Sequence, residues 1–356
     1  MTTPETHWLS RTECTVMRGV AILAIVLHNY CHWLRGIVRE NEFTYNIDNV
    51  HGMWHQLLHP DGLLPLHLLS FLGHYGMPLF VLLSGYGLAV KYGREEHLPA
   101  GRFVRYHYLK LFGMMVVGLV AFTMVDMMTR GAFHYHAMDI LAQLAMVINL
   151  FPEPHHTIWP GPFWFFGLIM QLYIIYILLI HRRHWLVPIV LVMVCWAAQV
   201  GCDPQADTLN YLRYNCISGM LPFVGGVMLA RMERHPYMEA WRNKAWGWHL
   251  AVALLLTVLV IPVSACFHLW LWGTLIVPLA MVSWIRVVPS SWQSPMVWVG
   301  GVSAAMFVSH PIARKVFIPL SHRQELYDGL VLYIVAVLVL AWGMSMLLNK
   351  VKKPTL

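Results

Sequence analysis

Apolar runs of about 18 residues or more recur along the whole chain, each long enough to cross a hydrocarbon layer about 30 Å thick as a helix rising about 1.5 Å per residue. In lipid every backbone amide must find its partner inside the chain, so such runs point to an all-α fold, a polytopic membrane helical bundle. Of 356 residues, 58% are hydrophobic and 12% charged, and no soluble domain is visible. Residues 1–356 read as a single integral membrane domain without internal repeats or low-complexity tracts. The polar stretch Met1 to Met17 leads into the first span without a small-residue cleavage site, so that helix is expected to stay in the product.

Hydropathy places spans near 18–34, 67–90, 109–128, 162–180, 185–200, 217–232, 246–264, 268–286, 295–312 and 329–349, about ten transmembrane helices with both termini on one side. Charge offers an independent check. The terminal side, which includes Lys350, Lys352 and Lys353, holds 17 of the 24 lysines and arginines and 6 of the 17 acidic residues; the other side holds 7 and 11. Basic short loops stay in the cytoplasm, so both termini are expected there. The net charge of +7 follows from this topology, and no nucleic-acid partner is needed to explain it.

Two connections on the other side stand out. Residues 138–150 are apolar but too short to span, which suggests a re-entrant or interfacial helix. Residues 35–66 form the longest connection and carry His51, His55 and His59 at four-residue steps. That segment suits a lid or an interfacial amphipathic helix; metal binding is the third reading, although no acidic or thiol ligand joins the pattern. Cys14, Cys31, Cys195 and Cys266 lie in or beside spans as apolar fillers, whereas Cys202 and Cys216 share one loop where a disulfide is permitted and not decided.

The residues suited to chemistry begin in the first span. From Arg18 to His32 an apolar run contains His28, Asn29 and His32, and intramembrane ionisable groups are costly enough to mark functional sites. Ten steps from Arg18 put His28 about 15 Å along the helix, near mid-membrane, with His32 on the same face and Arg18 about 80° away. A plain hydrogen bond to a neighbouring helix would also account for His28. The second span ends in the run Pro78 to Gly87, where glycines flanking Tyr86 allow close backbone approach. Lys91, Arg94, Arg102, Arg105 and Lys110 follow, interleaved with Phe103, Tyr106, His107 and Tyr108. Such a patch suits phosphate, and equally a topology signal or a contact with anionic lipid.

Taken together these motifs resemble the acyltransferase 3 family, integral membrane enzymes that move acyl groups, often acetyl from acetyl-CoA, onto extracytoplasmic sugars and glycans. Arg18 and His28 resemble the family's arginine and histidine of the first span. Phe80, Val81, Ser84 and Gly85 resemble its phenylalanine-rich stretch ending in Ser-Gly, and Arg102 with Arg105 its Arg-x-x-Arg. Trp164, Phe165, Gln171 and Tyr173 resemble its Trp-x-x-x-x-Glu-x-Gln-x-Tyr region, and Phe307 with His310 its late aromatic-x-x-His. The chain departs from the pattern at four points. Nine residues rather than ten separate Arg18 from His28; Val81 stands for a second phenylalanine, Ile169 for the glutamate and Thr15 for an acidic residue.

The resemblance implies an O-acetyltransferase-like enzyme of the bacterial inner (cytoplasmic) membrane, part of the cell envelope. Acetyl-CoA or another acyl-CoA would donate the acyl group, docking at Arg102 and Arg105 with Ser84 and Gly85 nearby. His28 would act as base or nucleophile, and Arg18 would neutralise coenzyme charge or steady an oxyanion. A glycan or lipid-linked sugar acceptor would meet His32, Trp164, Gln171, Tyr173 and His310, with membrane lipid around the bundle and no metal involved. Two other classes stay open: a transporter or flippase of a lipid-linked sugar, since polar groups in a membrane also mark substrate pathways, and a sensor binding metal through the histidine-rich segment. The topology is directly testable. A cysteine placed at Glu95 should not react with an impermeant thiol reagent outside intact cells, and labelling from outside would overturn the assignment of sides.

Overall fold

The computed structural model describes residues 7–323, 325–351 and 354–355; the first six residues, Lys352 and Lys353 lie outside the described residues. The chain is 77% helical with no strand among the described residues. Its helices are α1 (Arg11–Cys31), α2 (Ile47–Leu58), α3 (Leu64–Leu72), α4 (Gly76–Tyr92), α5 (Ala100–Met128), α6 (Ala137–Leu144), α7 (Pro154–Thr157) and α8 (Trp164–Ile175). The second half adds α9 (Leu186–Val200), α10 (Asp207–Arg213), α11 (Cys216–Met232), α12 (Pro236–Arg242) and α13 (Trp246–Ser264). The chain closes with α14 (Phe267–Val287), α15 (Ser290–Gly301), α16 (Ser303–Ser321) and α17 (Leu326–Lys350).

Seven helical runs among the described residues are long and apolar enough to cross a membrane, and nine if the bent pairs α10–α11 (41°) and α15–α16 (71°) each count as one span. The expectation of about ten depends on 185–200, which is α9, a helix of 15 residues. At about 22 Å it is short for a spanning helix. The apolar stretch 138–150 holds only the eight-residue α6 and a 3-10 turn, Ile148–Leu150.

The first helix begins earlier than hydropathy suggests because a capping box starts it. Ser10 Oγ accepts from the Glu13 amide at 3.2 Å and Glu13 Oε2 accepts from the Ser10 amide at 2.7 Å, satisfying two orphan donors of the first turn. The Glu13 carboxylate also pairs with Arg286 of α14. His28 consequently falls in the last turn of α1 rather than midway along it.

Around α1 the bundle is assembled: it packs on α3, α4, α14, α15, α16 and α17, with Met17, Ala21, Ile22, Tyr30 and Cys31 fully buried. Near its end Tyr30 stacks on Tyr333 at 4.4 Å, and the Tyr333 hydroxyl donates to the Val26 carbonyl at 2.9 Å. The start of α17 therefore meets the end of α1, which brings the N-terminus of α1 and the C-terminus of α17 to one face, called here the terminal face. On the opposite side, Lys315 of α16 pairs at 2.8 Å with the fully buried Asp126 of α5.

Two glycine seams set how closely helices approach α4. The run 64–92 is interrupted by a 3-10 turn, Gly73–Tyr75, and this break presses on α1: a Cβ at Gly73 would stand 2.7 Å from both the Ala24 carbonyl oxygen and His28 Cβ. Lower down, α4 and α11 touch through backbone, Gly85 against the Phe223 carbonyl and Gly226 against that of Leu82. Gly85, matched above to a cofactor motif, is thus a packing residue of this seam. Gly226→Ala should lower stability by about 1–3 kcal/mol through overpacking. By contrast Gly87→Ala, with nothing within 4 Å of its new Cβ, should be neutral or gain up to about 1 kcal/mol. Thermal melting of the two variants in detergent distinguishes them, and equal melting temperatures would contradict the seam.

Candidate active site

A backbone carbonyl sets the tautomer of His28. Ser70 lies in the last turn of α3, packed against α1. His28 Nδ1 stands 2.8 Å from the Ser70 carbonyl oxygen. A carbonyl only accepts, so Nδ1 carries the proton and donates it, leaving Nε2 with its lone pair free as base or nucleophile. No carboxylate is needed to orient this imidazole. Its ring also neighbours those of His32 at 5.1 Å and His74 at 5.7 Å. His32 stands beside the backbone of Glu40, and His74 beside that of Phe71.

These three imidazoles line a cavity of about 360 Å³ toward the opposite face. Its walls include Trp33, Trp159, Trp164, Tyr214 and the segment from Asn41 to Thr44. Phe43 of that segment stacks on Tyr214 at 4.0 Å and meets the Trp164 ring edge-on at 5.0 Å, so part of the long 35–66 connection does close over the site. The histidines of α2 stand elsewhere. Among the described residues no group of three His, Cys, Asp or Glu side chains is placed to hold a metal ion, and all six cysteines, Cys202 and Cys216 among them, are free. Burial pushes the carboxyl of Glu42, on the cavity wall, up to about 7 and that of Glu40 behind it up to about 8.

A second cavity of about 550 Å³ opens toward the terminal face. It is lined by Arg18, Tyr106 and Lys110 at one end and by Phe80, Leu111 and Met114 deeper in, with Asn349 and Pro354 from the end of the chain. Both cavities share Ile25, Phe165 and Phe307, so they meet at one wall. Phe165 and Phe307 touch there with ring centroids 5.4 Å apart. A third cavity of about 450 Å³ on the terminal face, lined by Arg182, Arg183 and Arg231 among others, shares no lining residue with these two.

The residues matched in the sequence distribute unevenly over this geometry. His28, His32 and Trp164 line the first cavity and Arg18 the second, so arginine and histidine serve different chambers. Arg102 and Arg105 are exposed at the start of α5 and line neither. Along α5 Arg102, Tyr106 and Lys110 follow at four-residue steps, which puts Arg102 about 12 Å beyond Lys110 and about 80° round the helix from it, with Arg105 about 60° further round. His310 is fully buried behind Phe307, its Nδ1 on the Met306 carbonyl at 3.2 Å, and it lines neither cavity. Ser84 stands beside Tyr173, and Gln171 is occupied at both ends, donating to Asn215 Oδ1 and accepting from the Cys216 amide, each at 2.8 Å. These are helix contacts.

Four residues of the first cavity escaped the sequence: His74, Asn29 as a partner, Glu42 and Arg314. Arg314 lies beyond the expected end of its span at 312, yet α16 runs through Pro311 to Ser321 and carries it into the bundle.

An unprotonated imidazole nitrogen in one chamber, and a basic chamber meeting it at an aromatic wall, form an arrangement fit for group transfer between two faces. Comparison with known families finds the same chemistry. The acyltransferase 3 family, described as an acyltransferase domain, matches residues 12–348, nearly the whole chain. Neither the curated proteins nor the solved structures contain a match. The chain belongs to the acyltransferase 3 family and is a membrane acyltransferase.

Proposed function

We propose that this acyltransferase takes acyl-CoA from the terminal face and passes its acyl group to a hydroxyl of a glycan or lipid-linked sugar at the opposite face. The observation that carries the reading is the wall of Ile25, Phe165 and Phe307 common to both cavities. Arg18 and His28 are about 15 Å apart along α1, a reach that an extended pantetheine arm covers. The coenzyme's phosphates can then remain at Arg18, Lys110 and Arg102 while the thioester enters the wall. A short acyl group such as acetyl suits the close Phe165–Phe307 contact. The terminal face has the basic bias expected of a cytoplasmic surface, where acyl-CoA is supplied, consistent with an inner membrane location in a bacterium.

In the direct route the acceptor O–H gives its proton to His28 Nε2 as its oxygen bonds the acyl carbon; the C–S bond breaks and the coenzyme thiolate recovers a proton from the imidazolium. In the covalent route Nε2 first attacks the acyl carbon as the C–S bond breaks and the coenzyme leaves as thiolate; the acceptor oxygen then bonds the acyl carbon and displaces the imidazole, and its proton goes to the thiolate. Both need the Ser70 carbonyl to hold the proton on Nδ1. Arg18, in the other chamber, acts on coenzyme charge.

His28→Ala should lower transfer of label from acetyl-CoA by about 10²–10⁴-fold while leaving coenzyme affinity unchanged. His32→Ala should be milder. Arg18→Ala and Lys110→Ala should weaken acyl-CoA binding about tenfold, and Arg105→Ala less, because one charge-assisted hydrogen bond to phosphate is lost in each of the first two. A His28→Ala protein with normal turnover, or a larger loss of turnover in His310→Ala at unchanged folding, would sink this assignment.

A further inference from the structure

Two buried arginines stand near the opposite face, and their charges are met differently. Arg213 has Glu40 and Glu42 as electrostatic neighbours, donates to Gln199 Oε1 at 2.8 Å and to the Glu42 backbone carbonyl, and lies over the Trp270 ring at 4.3 Å. Arg314, 9% exposed, forms no ion pair with a described residue, and its Nη1 reaches the carbonyl and Oδ1 of Asn29. Its neighbour Lys315 already occupies Asp126. Glu42, the carboxyl on the wall of the same cavity, sits with Arg213.

A buried cation without a counter-charge is costly, and its retention on a cavity wall points to an anion supplied by a ligand. The guanidinium is held ready for one. Asn29 Nδ2 donates to the Ile25 carbonyl at 3.0 Å, which fixes Asn29 Oδ1 where Arg314 Nη1 reaches it at 3.2 Å, and the Trp33 ring lies beneath at 5.3 Å to its centroid. Nε and Nη2 bond no described residue, which leaves two donors of the fork for two oxygens of one anionic group. Around them Trp33, Trp159 and Trp164 offer flat apolar faces of the kind on which sugar rings rest, and His28 lines the same chamber.

We infer that Arg314 receives an anionic group of the acceptor, so that the acceptor is an acidic sugar, bearing a carboxylate or a phosphate, rather than a neutral one. The anion site stands on Arg314 and its surroundings; that its ligand is the acyl acceptor rests on the function proposed above. Bound in this way, the sugar is anchored through its charge at Arg314 while one hydroxyl faces His28 Nε2.

Binding to the purified protein carrying His28→Ala, followed by tryptophan fluorescence, tests the site with three probes: glucuronate, glucose 1-phosphate and glucose. At least one anionic sugar should bind about tenfold or more tighter than glucose, and the preference should vanish in Arg314→Gln and survive in part in Arg314→Lys. Tighter glucuronate assigns a carboxylate and tighter glucose 1-phosphate a phosphate. Unchanged acyl-CoA affinity in Arg314→Gln confirms that it is folded, and Arg314→Lys keeps the comparison valid if it is not. No preference for an anionic sugar, or a preference that persists in Arg314→Gln, overturns the inference. Supplying the same sugars to the unmodified protein with labelled acetyl-CoA separates the two claims. An Arg314-dependent preference without label transfer keeps the anion site and removes the acceptor assignment, whereas equal transfer to glucose overturns the inference and leaves acyl transfer standing.

Discussion

The hydrogen bond from His28 Nδ1 to the Ser70 carbonyl is the contact on which the proposed chemistry of this bundle depends, and it exists because α1 and α3 come close together. A carbonyl has two lone pairs and takes this donor whether or not it also serves its own helix. Gly73, where a Cβ would stand 2.7 Å from His28 Cβ, lets α1 come close enough to reach it. A buried imidazole with one committed nitrogen and one free lone pair is the result. Structure supplies here, through backbone, what a carboxylate does in many histidine sites.

The remaining geometry follows from placing that histidine at the end of α1 and not in its middle. One chamber reaches it from the opposite face, lined by aromatic rings and by Arg314; the other rises from the terminal face and stops at Ile25, Phe165 and Phe307. The charged and apolar parts of the proposed acyl-CoA donor would thereby have separate surroundings. The membrane cost of the polar groups is distributed too: Asp126 pairs with Lys315, Arg213 has Glu40 and Glu42 as electrostatic neighbours, and Arg314 forms no ion pair with a described residue.

Much of the fold was legible in the sequence, because hydrophobic length is a local property. The expected spans 246–264 and 268–286 coincide with α13 and α14 to within a residue. His28 was legible for a related reason, an ionisable group where apolar residues belong. What stayed hidden depends on partners far away in the chain. Gln171 looks like a polar group awaiting a substrate until Asn215 and Cys216 are seen to satisfy it. Ile169, standing where the family has a glutamate, suggested that the histidine lacked a partner, since a backbone carbonyl leaves no mark in residue type. Arg314 was misplaced because hydropathy ends that span at 312, whereas α16 continues through Pro311 to Ser321.

The central claim is that the thioester of a donor bound at the terminal face reaches His28 through the Phe165–Phe307 wall. An experimental structure with a non-hydrolysable thioether analogue of acetyl-CoA tests it most directly. The account predicts the nucleotide beside Arg18 and Lys110, the pantetheine arm passing between Phe165 and Phe307, and the acyl carbon within reach of His28 Nε2. A nucleotide seated in the separate cavity of Arg182, Arg183 and Arg231, with its sulfur remote from His28, would contradict it.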